Sequence, residues 1–181
     1  MFQQSFIIDR EPIFIIEMGI LLIYAIIMLI RKVKFKRFVL NLAFGFYIAV
    51  IIAICFFPMA SIEGLYIPNS FVPFKSTIEC ISNFIRNDAL HDFIPVVGNF
   101  VMLMPLGVFY SIYVKNFKLR FLYVLLFSVS IETMQFVIGL IIGCNYRSTD
   151  IDDVILNTAG GIIGILLFSL LKKMYFKLKK A

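Results

Sequence analysis

The sequence predicts an all-α integral membrane protein, a bundle of about five transmembrane helices with a short amphipathic helix in an outer loop. Of its 181 residues, 61% are hydrophobic and only 15% are charged, whereas soluble domains average about 45–50% and about 25%. Five apolar runs are also long enough to cross about 30 Å of hydrocarbon as helices. Such a composition excludes a soluble enzyme, a disordered tail and a disulfide-stapled secreted module, because a water-soluble fold of this size could not bury so much apolar surface.

The apolar runs give the transmembrane helices in order. A helix needs about 20 residues to cross the hydrocarbon, and the predicted spans cover residues 12–30, 38–57, 96–114, 119–142 and 151–171. Pro105 and Gly107 lie inside the third span and predict a kink, with neighbouring helices satisfying the freed backbone groups. In the fifth span, Gly160 and Gly164 are four residues apart. They predict a face that another helix, or a second copy of the chain in an oligomer, can approach closely.

The basic residues indicate how the chain crosses the membrane. Three clusters, at residues 31–37, 115–120 and 172–180, hold 13 of the 17 Lys and Arg and contain no acid. Because cytoplasmic loops concentrate Lys and Arg, five spans then require the N-terminus outside and the C-terminus in the cytoplasm. The net charge of +6 is therefore explained by membrane topology, and no nucleic-acid partner is expected.

The outer loop between the second and third spans, residues 58–95, has internal structure of its own. Ile78, Ile81 and Ile85 recur at helical spacing between Ser76 and Arg86, which predicts a short amphipathic helix lying in the outer membrane interface. The preceding residues, 68–74, are rich in proline and aromatic side chains. They predict an extended segment along the membrane surface.

Carboxyl and amide side chains inside the spans are the candidates for function, because each costs free energy in lipid unless it has a partner. Glu132 and Gln135 share one face of the fourth helix, and the loop above them, residues 143–153, carries Arg147 and three Asp. We predict an outward polar pocket lined by the third, fourth and fifth spans and covered by this loop. Its predicted residues are Asn99, Glu132, Gln135, Arg147, Asp150, Asp153 and Asn157, with no metal or cofactor.

Two of these residues also admit a purely structural interpretation. Glu132 would then only bind helices together, and Asp150 would only cap the last helix, whose first turn also carries acids that suit the helix dipole. In the pocket interpretation, Arg147 is the counter-charge for Glu132 or for one of the Asp residues.

Four segments resemble the VanZ-like family of bacterial membrane proteins in their order and spacing: NSFVPF at 69–74, NFVMLMPLG at 99–107, Glu132-x-x-Gln135, and RSTDIDDVILNTAGG at 147–161. The resemblance implies a single VanZ-like transmembrane domain over residues 1–181, in the cytoplasmic membrane. The family is named for an accessory protein of glycopeptide-resistance clusters that confers resistance to teicoplanin, an antibiotic used against Gram-positive cells. The polar positions that recur in the family correspond to the seven pocket residues. The resemblance implies no particular reaction, because none is established for the family.

Three functions fit these observations. The first is a non-catalytic protein that binds a lipid-linked envelope component or a lipoglycopeptide at the outer surface of the bilayer. The second is a membrane enzyme acting on a lipid-linked phosphate or carbohydrate, with Arg147 holding an anion, Asp150 and Asp153 binding Mg²⁺ or acting as base, and Glu132 as general acid; the sequence contains no known nucleophile motif. The third is an ion-coupled transporter with Glu132 as carrier site, which the missing inverted repeat disfavours. We favour the first.

Overall fold

The computed structural model describes residues 6–61, 67–87 and 90–179, and most of these residues are helical. Its elements are, in order, β1 (Phe6–Ile8), α1 (Arg10–Ile30), α2 (Phe35–Phe56), β2 (Met59–Ser61), α3 (Lys75–Asn87), α4 (Leu90–Met102), α5 (Met104–Tyr113), α6 (Phe117–Ile142) and α7 (Ile151–Leu178). Five helical stretches of the described chain are long and apolar enough to cross a membrane, which confirms the predicted fold class. Positions 62–66 and 88–89 of the predicted outer loop lie outside the described residues.

The third membrane-spanning stretch, Phe93–Tyr113, consists of two helices rather than one. Helix α4 ends at Met102 and α5 begins at Met104, so that Leu103 separates them with φ −94° and ψ 3°. Pro105 lies in the first turn of α5, where its missing N–H costs no helical hydrogen bond. The predicted kink is confirmed.

The contacts divide the chain into two compact units. The first contains β1, α1, α2, β2 and residues 141–146. Helices α1 and α2 pack together over a short connection: Phe14 meets Phe46 edge-to-face with ring centroids 6.3 Å apart, and Leu21 lies against Gly45. Strands β1 and β2 form a two-stranded antiparallel sheet, with Ile7 opposite Ala60. This short sheet was not predicted, because its strands are three residues long and separated by two helices.

The second unit contains α3, α4, α5, most of α6 and α7. Helix α7 lies at its centre and packs against both α4 and α5 through glycines. A Cβ atom on Gly160 would lie under 3.0 Å from the carbonyl of Phe100, and one on Gly164 would meet the carbonyl of Met104 as closely. Because glycine has no Cβ, these helix backbones can touch. The face predicted for close approach is therefore occupied by α4 and α5 of the same chain.

Helix α3 matches the predicted amphipathic helix within one residue at each end. Two of the isoleucines that predicted it, Ile78 and Ile85, are well exposed. Large apolar side chains are likewise exposed along α1, α4, α6 and α7. In a soluble protein such exposure would be costly, whereas lipid tails cover it in a multi-pass membrane protein.

Candidate functional site

The candidate site is built around the N-terminus of α7. A helix leaves its first four backbone N–H groups without intrahelical partners, and in α7 one of them is bound by the side chain of Asp150. Asp150 has the extended backbone of an N-cap residue, and its Oδ1 accepts a hydrogen bond from the N–H of Asp152 at 2.9 Å. The capping role that the sequence offered for Asp150 is therefore present, and it uses one oxygen of the carboxylate.

The segment before α3 runs beside the residues that lead into α7. Ser70 donates its N–H to the carbonyl of Thr149, and its own carbonyl accepts from the N–H of Ile151, both at 3.0 Å. The side-chain oxygen of Asn69 accepts from the N–H of Thr149, also at 3.0 Å. The NSFVPF and RSTDID segments, 80 residues apart in sequence, thus pair like two short parallel strands. The pairing satisfies backbone groups that neither segment can satisfy by itself.

Asp152 connects the start of helix α3 to the first turn of α7. Its carboxylate accepts hydrogen bonds from the backbone N–H groups of Phe74 and Thr77, the latter at 2.8 Å, and the residue is only 2% exposed. It therefore caps α3 from the first turn of a different helix. The sequence analysis counted Asp152 only as an acid suited to its own helix dipole. The sequence did contain one indication of this capping role. Phe74 occupies the position before α3 where a helix normally has a capping Ser, Thr, Asp or Asn, so the cap had to come from another segment.

Glu132 points from α6 toward the start of α7. It is 6% exposed, and its Oε2 accepts a hydrogen bond from the N–H of Asp150 at 3.1 Å. One turn earlier, the hydroxyl of Ser128 donates to the carbonyl of Val154 at 3.2 Å. These two contacts join α6 and α7. Arg147 interacts electrostatically with Glu132, the arrangement that the sequence analysis considered for this pair.

Three other predicted site residues, Asn99, Gln135 and Asn157, lie on α4, α6 and α7. Asn99 of α4 donates from its amide to the carboxylate of Asp153, which places α4 against the first turn of α7. Gln135 is buried on α6. Asn157 is 1% exposed, and neither its amide nitrogen nor its amide oxygen has a hydrogen-bond partner within the described part of the chain.

A cavity of about 270 Å³ opens beside Glu132, and its wall is almost entirely apolar, although polar residues also border it. The residues around it are Phe71, Val129, Glu132, Thr133, Phe136, Thr149, Asp150, Ile151 and Val154. The cavity therefore lies between α6, the start of α7 and the segment before α3. The helix α4, which the sequence predicted as a further wall of the pocket, contacts α7 through the Asn99–Asp153 pair and the glycines. Of the seven predicted residues, Glu132 and Asp150 line this cavity.

A second cavity, of about 500 Å³, lies between α1 and α2 in the other unit. Glu17 and Asn41 line it together with apolar residues that include Leu21 and Ile48. The sequence analysis did not place either polar residue in the site. Among residues 6–61, 67–87 and 90–179, no group of three or more His, Cys, Asp or Glu side chains is arranged to hold a metal ion.

Comparison with known proteins places this architecture in a family. The sequence profile of the VanZ/LLP1 family matches residues 44–172, more than half of the chain, from the middle of α2 almost to the end of α7. One curated relative, Protein VanZ of Enterococcus faecium, is 32% identical over 87 residues, which are 47% of this chain and 50% of the relative. The aligned region thus spans about half the length of that relative. No solved structure gives a significant match. The chain belongs to the VanZ/LLP1 family.

Proposed function

We propose that this protein binds an amphiphilic molecule of the cell envelope, a lipid-linked precursor or a lipoglycopeptide, at the outer surface of the cytoplasmic membrane, and that it thereby raises tolerance to teicoplanin or serves a related envelope role. In this proposal the protein forms no product. The site is the cavity beside Glu132, and the N-terminus of the chain lies outside the cell.

The observation that carries the proposal is an apolar cavity that two buried carboxyl groups border. Ligand sites are mostly apolar, with a few polar groups that fix the orientation of the ligand. Here Val129, Phe136 and Ile151 supply apolar surface, while the carboxylates of Glu132 and Asp150 supply the polar groups. An acid in a membrane-spanning helix is costly and is by default a candidate for function. An amphiphile is the class of molecule that presents both kinds of surface.

Membership of the VanZ/LLP1 family also supports the proposed binding role. The matched region, residues 44–172, contains every residue that lines the cavity, and the relative from Enterococcus faecium is called Protein VanZ. The teicoplanin role implied by the sequence resemblance fits a site at the membrane interface, because a lipoglycopeptide carries an acyl chain that inserts into the bilayer.

The test is the teicoplanin susceptibility of a sensitive Gram-positive host that expresses the chain. Wild type is compared with Glu132→Gln and Arg147→Ala, and membrane abundance is measured by immunoblot. Glu17→Gln is the matched control, because it makes the same change in another membrane-spanning helix, at a residue that does not line the cavity. We expect tolerance from wild type and Glu17→Gln, and its loss in the other two variants at equal abundance.

Two results would count against the proposal. If wild type leaves susceptibility unchanged toward teicoplanin and toward other envelope-active lipopeptides, the binding role fails. If instead the purified protein converts a lipid-linked phosphate or carbohydrate in a reaction that needs a divalent metal, the enzymatic alternative replaces it.

A further inference from the structure

We propose that one end of the second unit is a binding surface for the phosphate head groups of anionic glycerophospholipids. This surface, which we call the lysine end, consists of five exposed residues: Lys115, Lys118, Lys172, Lys173 and Lys177. None of them lines the cavity beside Glu132, so the inference does not depend on the proposed function. The lipids would bind at the membrane surface that the last turns of α7 reach.

The five lysines lie at one end of the unit because α4, α5 and α7 run in the same direction. Between the two contact glycines of α7, which are four residues apart, the backbone contact moves from Phe100 to Met104. Because helices rise about 1.5 Å per residue, Tyr113 at the end of α5 lies within about one turn of the level of Lys172 and Lys173. The connection to α6 and the first turn of α6 follow directly and carry two more of the lysines.

The second unit offers these lysines no carboxylate as a partner. Residues 93–131 and 154–181 contain no Asp or Glu, and the acids that border these stretches, Glu132 and Asp153, lie at the start of α7, at the opposite end. Arg120 is not counted in the surface, because its guanidinium donates to two backbone carbonyls just after α5. The negative charge that balances the lysine end therefore comes from outside the unit.

The length of α7 carries its lysines to the level of lipid head groups. Its 28 residues extend about 42 Å at about 1.5 Å per residue, whereas the hydrocarbon core is about 30 Å thick. About eight residues therefore continue beyond the hydrocarbon. The first turn holds Asp152 and Asp153, which are costly in lipid and so belong at the opposite surface. The excess length is then at the C-terminal end, where every residue from 169 to 179 is exposed.

The last turns of α7 have an apolar side as well as a basic one. Leu171, Met174 and Leu178 recur at spacings of three and four residues and share one side of the helix, and each is more than half exposed. The lysines of these turns lie on the other side. A soluble anion would match only the lysines, whereas a lipid offers a phosphate to them and an acyl chain to the apolar side. Basic clusters next to a membrane span attract anionic lipids in this way.

The test uses the fact that the chain contains no tryptophan. Phe176→Trp places a single fluorescent reporter among the lysines of α7, and Leu140→Trp places one on α6 at the other end of the same unit as a control. The full chain is reconstituted in phosphatidylcholine vesicles. Part of the lipid is replaced by phosphatidylglycerol or phosphatidylcholine with the same brominated acyl chains, which quench tryptophan on contact.

We expect brominated phosphatidylglycerol to half-quench Trp at position 176 at a mole fraction about fivefold lower than brominated phosphatidylcholine, because one lysine near an anionic surface changes affinity about fivefold. Combining Lys172→Gln, Lys173→Gln and Lys177→Gln should reduce this preference to less than about twofold, and so should a salt concentration of about 0.5 M. The three side chains are exposed, and gel filtration checks that the variant is folded. The reporter at position 140 should show no preference.

A matched variant separates a local surface from a general effect of net charge. Lys32→Gln, Lys34→Gln and Lys36→Gln together remove the same charge from the first unit, and the preference at position 176 should remain. An equal loss in this variant overturns the inference. Equal quenching by both lipids at position 176 also overturns it and leaves a soluble anion as the partner of the lysines. A preference that survives the loss of the three lysines of α7, or that is as large at position 140, overturns it as well.

Discussion

Replacing Asp152 by alanine should release helix α3 from the top of α7. The Asp152 carboxylate accepts two backbone hydrogen bonds, from Phe74 and Thr77, across more than 70 residues of sequence. Hydrogen bonds to charged groups contribute about 1.5–3 kcal/mol each, and removal of an N-cap costs about 0.5–2 kcal/mol. Phe74 is exposed and Thr77 half-buried, so the freed N–H groups regain water. We therefore expect a loss of about 2–3 kcal/mol in total.

This loss is local, so hydrogen exchange is the measurement that detects it. A change of about 2–3 kcal/mol raises the open population of α3 roughly 30- to 140-fold. Amide exchange in a peptide covering residues 70–87, followed by mass spectrometry in nanodiscs, should accelerate by that factor. Exchange in the middle of α7, around Gly160 and Gly164, should change little, because those backbones are held by packing against α4 and α5.

Two further variants sharpen the experiment. Asp152→Asn keeps one acceptor oxygen but presents an NH₂ group to the second backbone donor, so its exchange should lie between wild type and alanine. Glu79→Gln removes an exposed acid from α3 itself and should change exchange by less than threefold. The reasoning is refuted if Asp152→Ala exchanges at the wild-type rate in residues 70–87, since α3 would then be held without its cap.

Three other predictions follow from packing and topology. Gly164→Ala should lower the thermal midpoint of the purified chain by about 3–10 °C, because the added methyl group would meet the backbone of α5. A methyl group at Gly98 would have nothing within 4 Å, so Gly98→Ala should leave the midpoint unchanged. Equal midpoints for the two variants would contradict this packing. Asn157→Leu should raise stability by about 1 kcal/mol, because it removes an unpaired buried amide; a lower midpoint in the same melts would show that the amide has a partner. In intact cells, a membrane-impermeant maleimide should label a variant that keeps only Cys144 but not one whose only cysteine is Lys34→Cys, because the topology predicted from the basic clusters puts these positions on opposite sides of the membrane. The reverse labelling pattern would contradict that predicted topology.

Local sequence determined most of the helices. The apolar run at residues 12–30 predicted α1, which the structure begins only two residues earlier, at Arg10. The spacing of Ile78, Ile81 and Ile85 predicted α3, and Pro105 predicted the break in the third span. Each of these signals acts within one or two helical turns: lipid requires apolar side chains along a whole span, an amphipathic helix repeats every 3.6 residues, and proline lacks an N–H.

The composition of the site depended on contacts between distant segments. The sequence indicated Glu132 and Asn99 as polar residues inside the spans, where their types are costly in lipid, and Asp150 and Asp153 as acids of the loop above them. It did not show that Glu132 and Asp150 border a cavity whereas Asn99 and Asp153 pair with each other. That division depends on how closely α4 approaches α7, which the glycines of α7 allow.

Asp152 and Phe71 are two more residues whose contacts could not be predicted from the sequence alone. Asp152 caps α3 over a separation of 75 to 78 residues, and Phe71 borders the cavity because Ser70 pairs with Asp150 across the two segments. Sequence alone determined that this chain is a multi-pass helical membrane protein with polar residues concentrated in its later spans. The tertiary structure decided which of those residues meet, because a hydrogen bond between segments far apart in sequence forms only once helix packing has brought its donor and acceptor together.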